Sequence, residues 1–288
     1  MRAEWKQEIN ATTMSSSPLP SKILKWSGAT HRGKVRANNE DSFLGLQFNA
    51  EELHHLGRMG ESSTGHADFV FAVSDGMGGA KAGEFASKIA VEKITRLLPP
   101  SFKQSAEGLE AGFTDILTEL FDQIHRAISF VGGSYEECEG MQATLSMCWF
   151  TPNWMHFAHI GDSRIYYLPA GAQTLRQLSH DDTHVGWLFR TGQINEREAR
   201  QHPRRNVLQK ALGGGNQFVE PQVGSVGYET GDLFLLCTDG LVDGFFDDQL
   251  AELLHTFRST GGAAGHLIEA SLEKAARDNI TAMVIEVA

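Results

Sequence analysis

Cysteine is scarce in this 288-residue chain: Cys138, Cys148 and Cys237 are the only three, and none forms a Cys-x-x-Cys pair. That excludes a disulfide framework and a thiolate zinc site, and it suits a reducing compartment. Long apolar runs are also missing, since none approaches the roughly 18 residues a membrane span needs. The opening MRAEWKQEINATTMSSSPLP has no apolar core of the kind a secretory signal carries. The expectation is a cytoplasmic protein with no membrane partner. Positive charge is short as well: 25 Lys and Arg against 36 Asp and Glu leave a formal charge of −11. A surface that neutralises many phosphates needs the opposite imbalance, which excludes nucleic acid as a partner. The acidic excess either keeps the surface solvated or gathers carboxylates to hold cations.

What is present is ordinary globular material, 41% hydrophobic and 21% charged, long enough to bury a core without staples. Thirty glycines predict many tight turns or sites built from backbone. Residues 1 to about 22 read as a polar tail rich in Ser and Pro, and 49 to 67 read as a long irregular loop. Short β-branched or aromatic runs bounded by turn residues predict strands at 69–73, 143–150, 154–160, 165–168, 233–237 and 280–287. Thr151-Pro152-Asn153 predicts a hairpin turn between the second and third of these. Helical spacing appears at 83–98, about 106–130, 247–257 and 262–276. Strands joined by short turns, with helices in blocks, indicate an α+β fold rather than alternating βαβ units.

Carboxylates recur at the strand boundaries. The run 69–73 leads into Ser74-Asp75-Gly76, 154–160 into Gly161-Asp162-Ser163-Arg164, and 233–237 into Thr238-Asp239-Gly240 with Asp243 beyond. Arg277-Asp278-Asn279 precedes the last strand, and Asn38-Asn39-Glu40-Asp41-Ser42 precedes FLGLQF. One Asp-Gly after an apolar run is ordinary turn chemistry. Asp75 differs, because a helix follows it rather than a returning strand. Five such boundaries meeting at one sheet edge would gather charges that repel and resist desolvation, and a cation is their natural partner. With oxygen donors only, the set favours Mg²⁺ or Mn²⁺ over zinc. Several carboxylates fit two ions, an arrangement common in phosphoester hydrolysis.

These ordered motifs resemble the metal-dependent protein phosphatases of type 2C (the PPM family) in their bacterial form, over about residues 24–287. The resemblance rests on Arg36 through Ser42, on Asp75-Gly76-Met77-Gly78-Gly79 with Gly83-Glu84 and Ala86-Ser87, and on Gly161 through Arg164. It continues in Thr238 through Leu241 with Asp243, and in Asp278-Asn279-Ile280-Thr281. It implies an α-β-β-α sandwich of two antiparallel sheets flanked by helices, forming one catalytic domain over 23–288 with a flap at about 183–206. It also implies hydrolysis of phosphoserine or phosphothreonine by direct attack of a metal-bridging water. In that scheme Asp75 bridges two Mn²⁺ or Mg²⁺ ions, Asp239 and Asp278 complete the first site, and Glu40 with the Gly76 carbonyl completes the second. Asp41 holds metal-bound water, and Asp162 with Asp239 and Asp243 forms a third, weaker site. Arg36 binds the substrate phosphate, for which a planar fork of donors suits two phosphate oxygens. The implied partners are phosphoproteins made by a bacterial Ser/Thr kinase, met by a monomer.

Some positions depart from the family. Met77 stands where many eukaryotic members have His, which leaves water to protonate the leaving group. Gly140 through Thr144 and Asp181-Asp182-Thr183 also deviate, the latter removing a His. His180 and His184, four apart, have the spacing of a zinc pair on one helical face, but Asp181-Asp182-Thr183 between them is not a zinc-protease pattern. His54-His55 reads as solvated. Gly76 through Lys81 lacks phosphate-loop spacing, no G-x-S-x-G elbow occurs, and Gly213-Gly214-Gly215 reads as a helix stop. Arg204 and Arg205 form a local basic pair in the flap suited to a phosphopeptide. Two other readings stand beside the general phosphatase: a partner-switching phosphatase for one dedicated phosphoprotein, and an inactive phosphoprotein-binding homologue.

Overall fold

A computed structural model describes residues 21–79, 81–106, 112–215, 218–274 and 276–288. Along the chain come β1 (Ile23–His31), β2 (Asp41–Phe48), β3 (Leu53–His55), β4 (Met59–Ser63) and β5 (Asp68–Met77), then α1 (Ala82–Ala106) and α2 (Phe113–Ser134). The middle holds β6 (Gln142–Ala143), β7 (Leu145–Phe150), β8 (Trp154–Ile160), β9 (Arg164–Leu168), β10 (Arg176–Gln177), α3 (His184–Arg190) and α4 (Glu196–Gln201). Last are β11 (Leu212–Gly213), β12 (Gln222–Gly227), β13 (Leu233–Cys237), α5 (Asp239–Val242), α6 (Asp247–Phe257), α7 (Ala263–Lys274) and β14 (Ile280–Val287).

One sheet runs β10-β9-β13-β14-β1-β4; the other runs β11-β6-β5-β7-β8-β12, with β2 on the other side of β5 and β3 outside β2. All described pairs are antiparallel. Period-two alternation sorts each central strand between two apolar layers. Phe69, Phe71 and Val73 of β5 meet Phe234, Leu236, Met283 and Ile285 between the sheets. Val70 and Ala72 face α1 and α2, while Leu233, Leu235, Ala282 and Val284 face α5, α6 and α7. On α2, Ile116, Leu117, Leu120, Phe121, Ile124 and Ile128 lie on one buried stripe. Each fully buried Phe or Leu contributes on the order of 1.5–3 kcal/mol, so the layering itself carries the α-β-β-α sandwich.

Four expectations need correction. Residues 49–67 are not one loop, since β3 and β4 form there as edge strands. Both are short and mostly polar, and backbone pairing to β2 and β1 holds them without an apolar alternation that could signal them. The predicted strand 143–150 is interrupted at Thr144. Its register with β5 passes from Val73↔Ser146 to Gly76↔Ala143, and in the gap the Ser74 hydroxyl donates to the Thr144 carbonyl (2.6 Å). Gly213-Gly214-Gly215 ends no helix; Leu212–Gly213 is a strand paired with β6, and all three glycines have positive φ. His180 lies outside α3, which begins at His184, so the two do not share a helical face. The helix expected at about 106–130 is α2, starting at Phe113; residues 107–111, and the tail to residue 20, lie outside the described residues. Among the described residues no helix is long and apolar enough to cross a membrane.

Candidate metal centre

Antiparallel register brings the acidic boundaries to one end of the sandwich. Cys237, the last residue of β13, pairs with Ala282 near the start of β14 and with Arg164 at the start of β9. Asp239, Asp278 and Asp162, each two residues beyond one of those strand ends, therefore lie at a common edge. In the other sheet Asp41 stands directly opposite Asp75. Facing like charges destabilise a sheet, and these carboxylates are the mutual electrostatic neighbours of the others. Burial first, then Asp41, Asp239, Asp162 and Asp278, hold Asp75 well above the usual carboxylate range. Burial, then Asp162, Asp243, Asp278 and Asp41, do the same to Asp239. Burial also pushes Asp162 up to about 7, with Asp181 adding to it, and burial raises Glu40.

Asp41 is the most closely held. Its Oδ2 accepts from the hydroxyls of Thr281 (2.7 Å) and Thr238 (2.8 Å). Burial still pushes it up to about 7 against those two donors, with Asp278 and Glu40 adding repulsion. Its Oδ1 and the Oδ1 of Asp239 are buried without a hydrogen-bond partner. Buried carboxylate oxygens without donors are costly, and a hard divalent cation satisfies them with the oxygen chemistry present here. The donor set therefore fits Mg²⁺ or Mn²⁺. Among the described residues no three His, Cys, Asp or Glu side chains are already gathered in ligand geometry. Two of these carboxylates are in the hands of arginines: Arg36 donates to Asp278 (2.7 Å) and Arg205 to Asp243 (3.3 Å).

Backbone geometry places the remaining members. The β5 end lies against the first turn of α1 so closely that a Cβ on Gly76 would sit 1.9 Å from the Gly83 carbonyl oxygen; only glycine permits that approach. The Gly76 amide donates to the Glu40 carbonyl (3.2 Å), joining two predicted positions. Arg36 lies on the loop between β1 and β2, with its side chain 52% exposed and open to an incoming anion.

Several supporting residues had no role assigned from sequence. Asn279 accepts from the Glu40 amide (2.7 Å) and donates to the carbonyls of Arg32 and Asn38 (2.9 Å each), fixing the loop that carries Arg36 and Glu40. Thr144 Oγ1 accepts from the Asp75 amide (2.9 Å). Asp182 accepts from the Gly161 amide (3.1 Å) and its own amide donates to the Gly161 carbonyl (2.7 Å), so it braces the turn before Asp162. Asp181 makes a two-pronged pair with Arg164 (2.9 and 2.7 Å). Buried His159 reaches the carbonyls of Gly161 (3.0 Å) and His180 (3.2 Å) through Nε2. Asn279, Thr281 and Thr238 lay inside motifs already noted, but their partners are set by cross-strand register, which spacing alone does not reveal. His184 stacks on Trp187 and belongs to no described metal-ligand group.

Comparison with known proteins places the chain as a whole. The model of the family described as protein phosphatase 2C matches residues 58–275. The serine/threonine protein phosphatase PstP of Mycobacterium tuberculosis is 33% identical over 269 residues, which are 92% of this chain and 45% of PstP, so the chain spans about half the length of that relative. The serine/threonine phosphatase stp of Listeria monocytogenes is 32% identical over 258 residues, covering 89% of this chain and 93% of the relative. The crystal structure of the PstP catalytic domain in complex with two manganese ions aligns with a TM-score of 0.72 at 32% identity, over 93% of this chain and 99% of that one. With a sandwich of two antiparallel sheets ending in a buried acidic cluster, and a family match over most of its length, the chain belongs to the protein phosphatase 2C family.

Proposed function

We propose that this protein is a Mn²⁺- or Mg²⁺-dependent serine/threonine protein phosphatase whose catalytic unit spans residues 23–288. The observation that carries the reading is the cluster of buried carboxylates, two with unpartnered oxygens, at the end of a family-typical sandwich. Asp75 would bridge two ions, Asp239 and Asp278 would complete one site, and Glu40 with the Gly76 carbonyl would complete the other. Asp162, Asp239 and Asp243 would hold a third ion more weakly. Divalent ions held there neutralise phosphate charge and lower the pKa of water into the physiological range.

The chain's own groups then divide the work. Arg36 turns its exposed fork to two oxygens of the substrate phosphate, which fixes the phosphorus and opposes its charge. Asp41, oriented by Thr238 and Thr281, accepts a hydrogen bond from the attacking water and aims it in line. Met77 offers no proton, so solvent protonates the departing Ser or Thr oxygen. The substrates are phosphoproteins made by a Ser/Thr kinase, encountered in the cytoplasm by a monomer. The flap from 183 to 206 borders the cavity beside Asp239 and Asp243, and Arg204 and Arg205 on it favour an anionic segment.

The test is hydrolysis of p-nitrophenyl phosphate and of a phosphothreonine peptide with Mn²⁺, Mg²⁺ or EDTA, beside Asp239→Asn. Metal-dependent turnover that disappears in the variant supports the reading. A folded, metal-loaded protein that turns over neither substrate rejects it in favour of a binding homologue.

A further inference from the structure

The flap is poorly anchored by packing. Val185 is the one buried residue of α3, and α4 has none. At its base the flap is tied by a bridge between Thr183 and Leu208 and by the Gln209 amide donating to the Asp182 carbonyl (2.7 Å). Those ties close the loop's two ends on each other and leave the position of its body open.

Arg200, in the last turn of α4, supplies a link from the body. Its Nη1 donates to the Val242 carbonyl (2.8 Å) and its Nη2 to the Phe245 carbonyl (2.7 Å). The guanidinium stacks 4.2 Å from the ring centroid of Phe246. Glu196, one turn earlier, accepts from Nε (3.1 Å) and Nη2 (3.0 Å), which holds the fork in orientation. Val242 is the last residue of α5, and its carbonyl also accepts from the Phe245 amide (3.3 Å), so Arg200 adds a shorter second bond to a turn that already closes around Asp243. The two carbonyls flank Asp243, and Arg205 takes the Asp243 carboxylate itself. A cavity of about 130 Å³ between them has Val185, Phe189 and Ala199 of the flap on one side and Asp162, Asp239 and Asp243 on the other.

We infer that Arg200 is a latch that sets the flap against the acidic site and, by fixing the backbone on both sides of Asp243, positions that carboxylate for the third cation. The inference rests on the phosphatase reading for the cation and on geometry alone for the latch. Arginine is required because one planar fork spans two carbonyls three residues apart while its face covers Phe246; the ammonium of Lys is a point donor and cannot do both.

The experiment uses the full chain as wild type, Arg200→Ala and Arg200→Lys. Mn²⁺ binding is followed by titration calorimetry, and flap opening by chymotrypsin cleavage after Trp187 and Phe189, both 45% exposed. We expect Arg200→Ala to keep the tight pair of Mn²⁺ sites and to weaken the weak class by about 10- to 100-fold, the usual effect of losing a partner that orients a ligand. Cleavage in the flap should accelerate, and Arg200→Lys should restore neither property. Unchanged weak-class affinity and unchanged cleavage in Arg200→Ala would overturn the latch, as would full rescue by Lys. A wild type that takes up no Mn²⁺ would instead reject the phosphatase reading, and the cleavage rates would still decide whether Arg200 holds the flap.

Discussion

Thr281→Val tests the assignment of Asp41 most sharply, because it keeps the shape of the side chain and removes the hydroxyl that donates to Asp41 and accepts from Thr30. Thr281 is fully buried on β14, opposite Thr30, and Val keeps its shape and β-propensity. The hydroxyl is the last donor in a one-way chain. Asn39 Nδ2 donates to Thr30 Oγ1 (2.8 Å), and Thr281 spends its proton on Asp41 (2.7 Å), so the 2.7 Å contact between the two threonines has Thr30 as donor. A hydrogen bond to a charged group is worth about 1.5–3 kcal/mol, which corresponds to roughly one to two pH units at 1.36 kcal/mol per unit. Burial already pushes Asp41 up to about 7 while Thr281 and Thr238 pull it down, so losing one of them moves it further up. The carboxylate is then protonated over a wider acid range. Bound cations favour the ionised form of Asp41, but the lost hydrogen bond still raises it relative to wild type, so the acid limb of the pH–kcat profile should move upward by about one to two units, with turnover recovering at high pH. Thr238→Val should move the limb the same way, since its hydroxyl meets the same oxygen. A pH-independent fall in kcat for Thr281→Val, with the acid limb unmoved, would show that the hydroxyl serves packing and that Asp41 need not be ionised.

The other expectations concern phosphate, the third ion and proton linkage. Arg36→Ala should raise KM for phosphosubstrates by about tenfold or more through loss of its charge-assisted fork, and it also frees Asp278 from its ion pair, so Mn²⁺ affinity is measured beside it by calorimetry; an unchanged KM would remove Arg36 from the phosphate. Asp162→Ala should leave two tightly bound metals and slow turnover, and a crystal structure of the variant with an intact third ion would contradict that role. The EDTA-treated protein should be most stable in mild acid. Asp41 and Asp162 are raised to about 7 when folded and titrate near 4 when unfolded. The folded chain therefore binds the extra protons, and the stability these two groups contribute, fully present below about pH 4, is lost as pH rises through about 7. For Asp41 alone the three-unit difference is on the order of 4 kcal/mol. Thermal melts in EDTA between pH 4.5 and 8 would check the slope, and a melting temperature that climbs over that range would refute the sign. Adding Mn²⁺ at pH 8 should recover the lost stability.

Legibility in the sequence followed how locally each feature is encoded. β8, β13, β14 and α6 have the bounds their patterns predict, because each is a strong apolar run or stripe ended by turn or acidic residues. β4, with the sequence Met-Gly-Glu-Ser-Ser, and β12, with Gln-Val-Gly-Ser-Val-Gly, carry no such signal, since both lie at sheet edges and owe their form to a neighbour's backbone. The carboxylates were visible because an acid at the end of a buried strand conflicts with its surroundings. Their supports were not, because Asn279 reaches Glu40 across 239 positions, Thr238 reaches Asp41 across 197, and Thr281 reaches it across 240. Those bonds exist only once β14 lies between β1 and β13, so they depend on the assembled sandwich. The same dependence makes the supports useful as probes. Replacing a ligand removes the reaction and says little about geometry, whereas Thr281→Val or Arg200→Ala leaves every proposed ligand in place and asks whether its orientation matters.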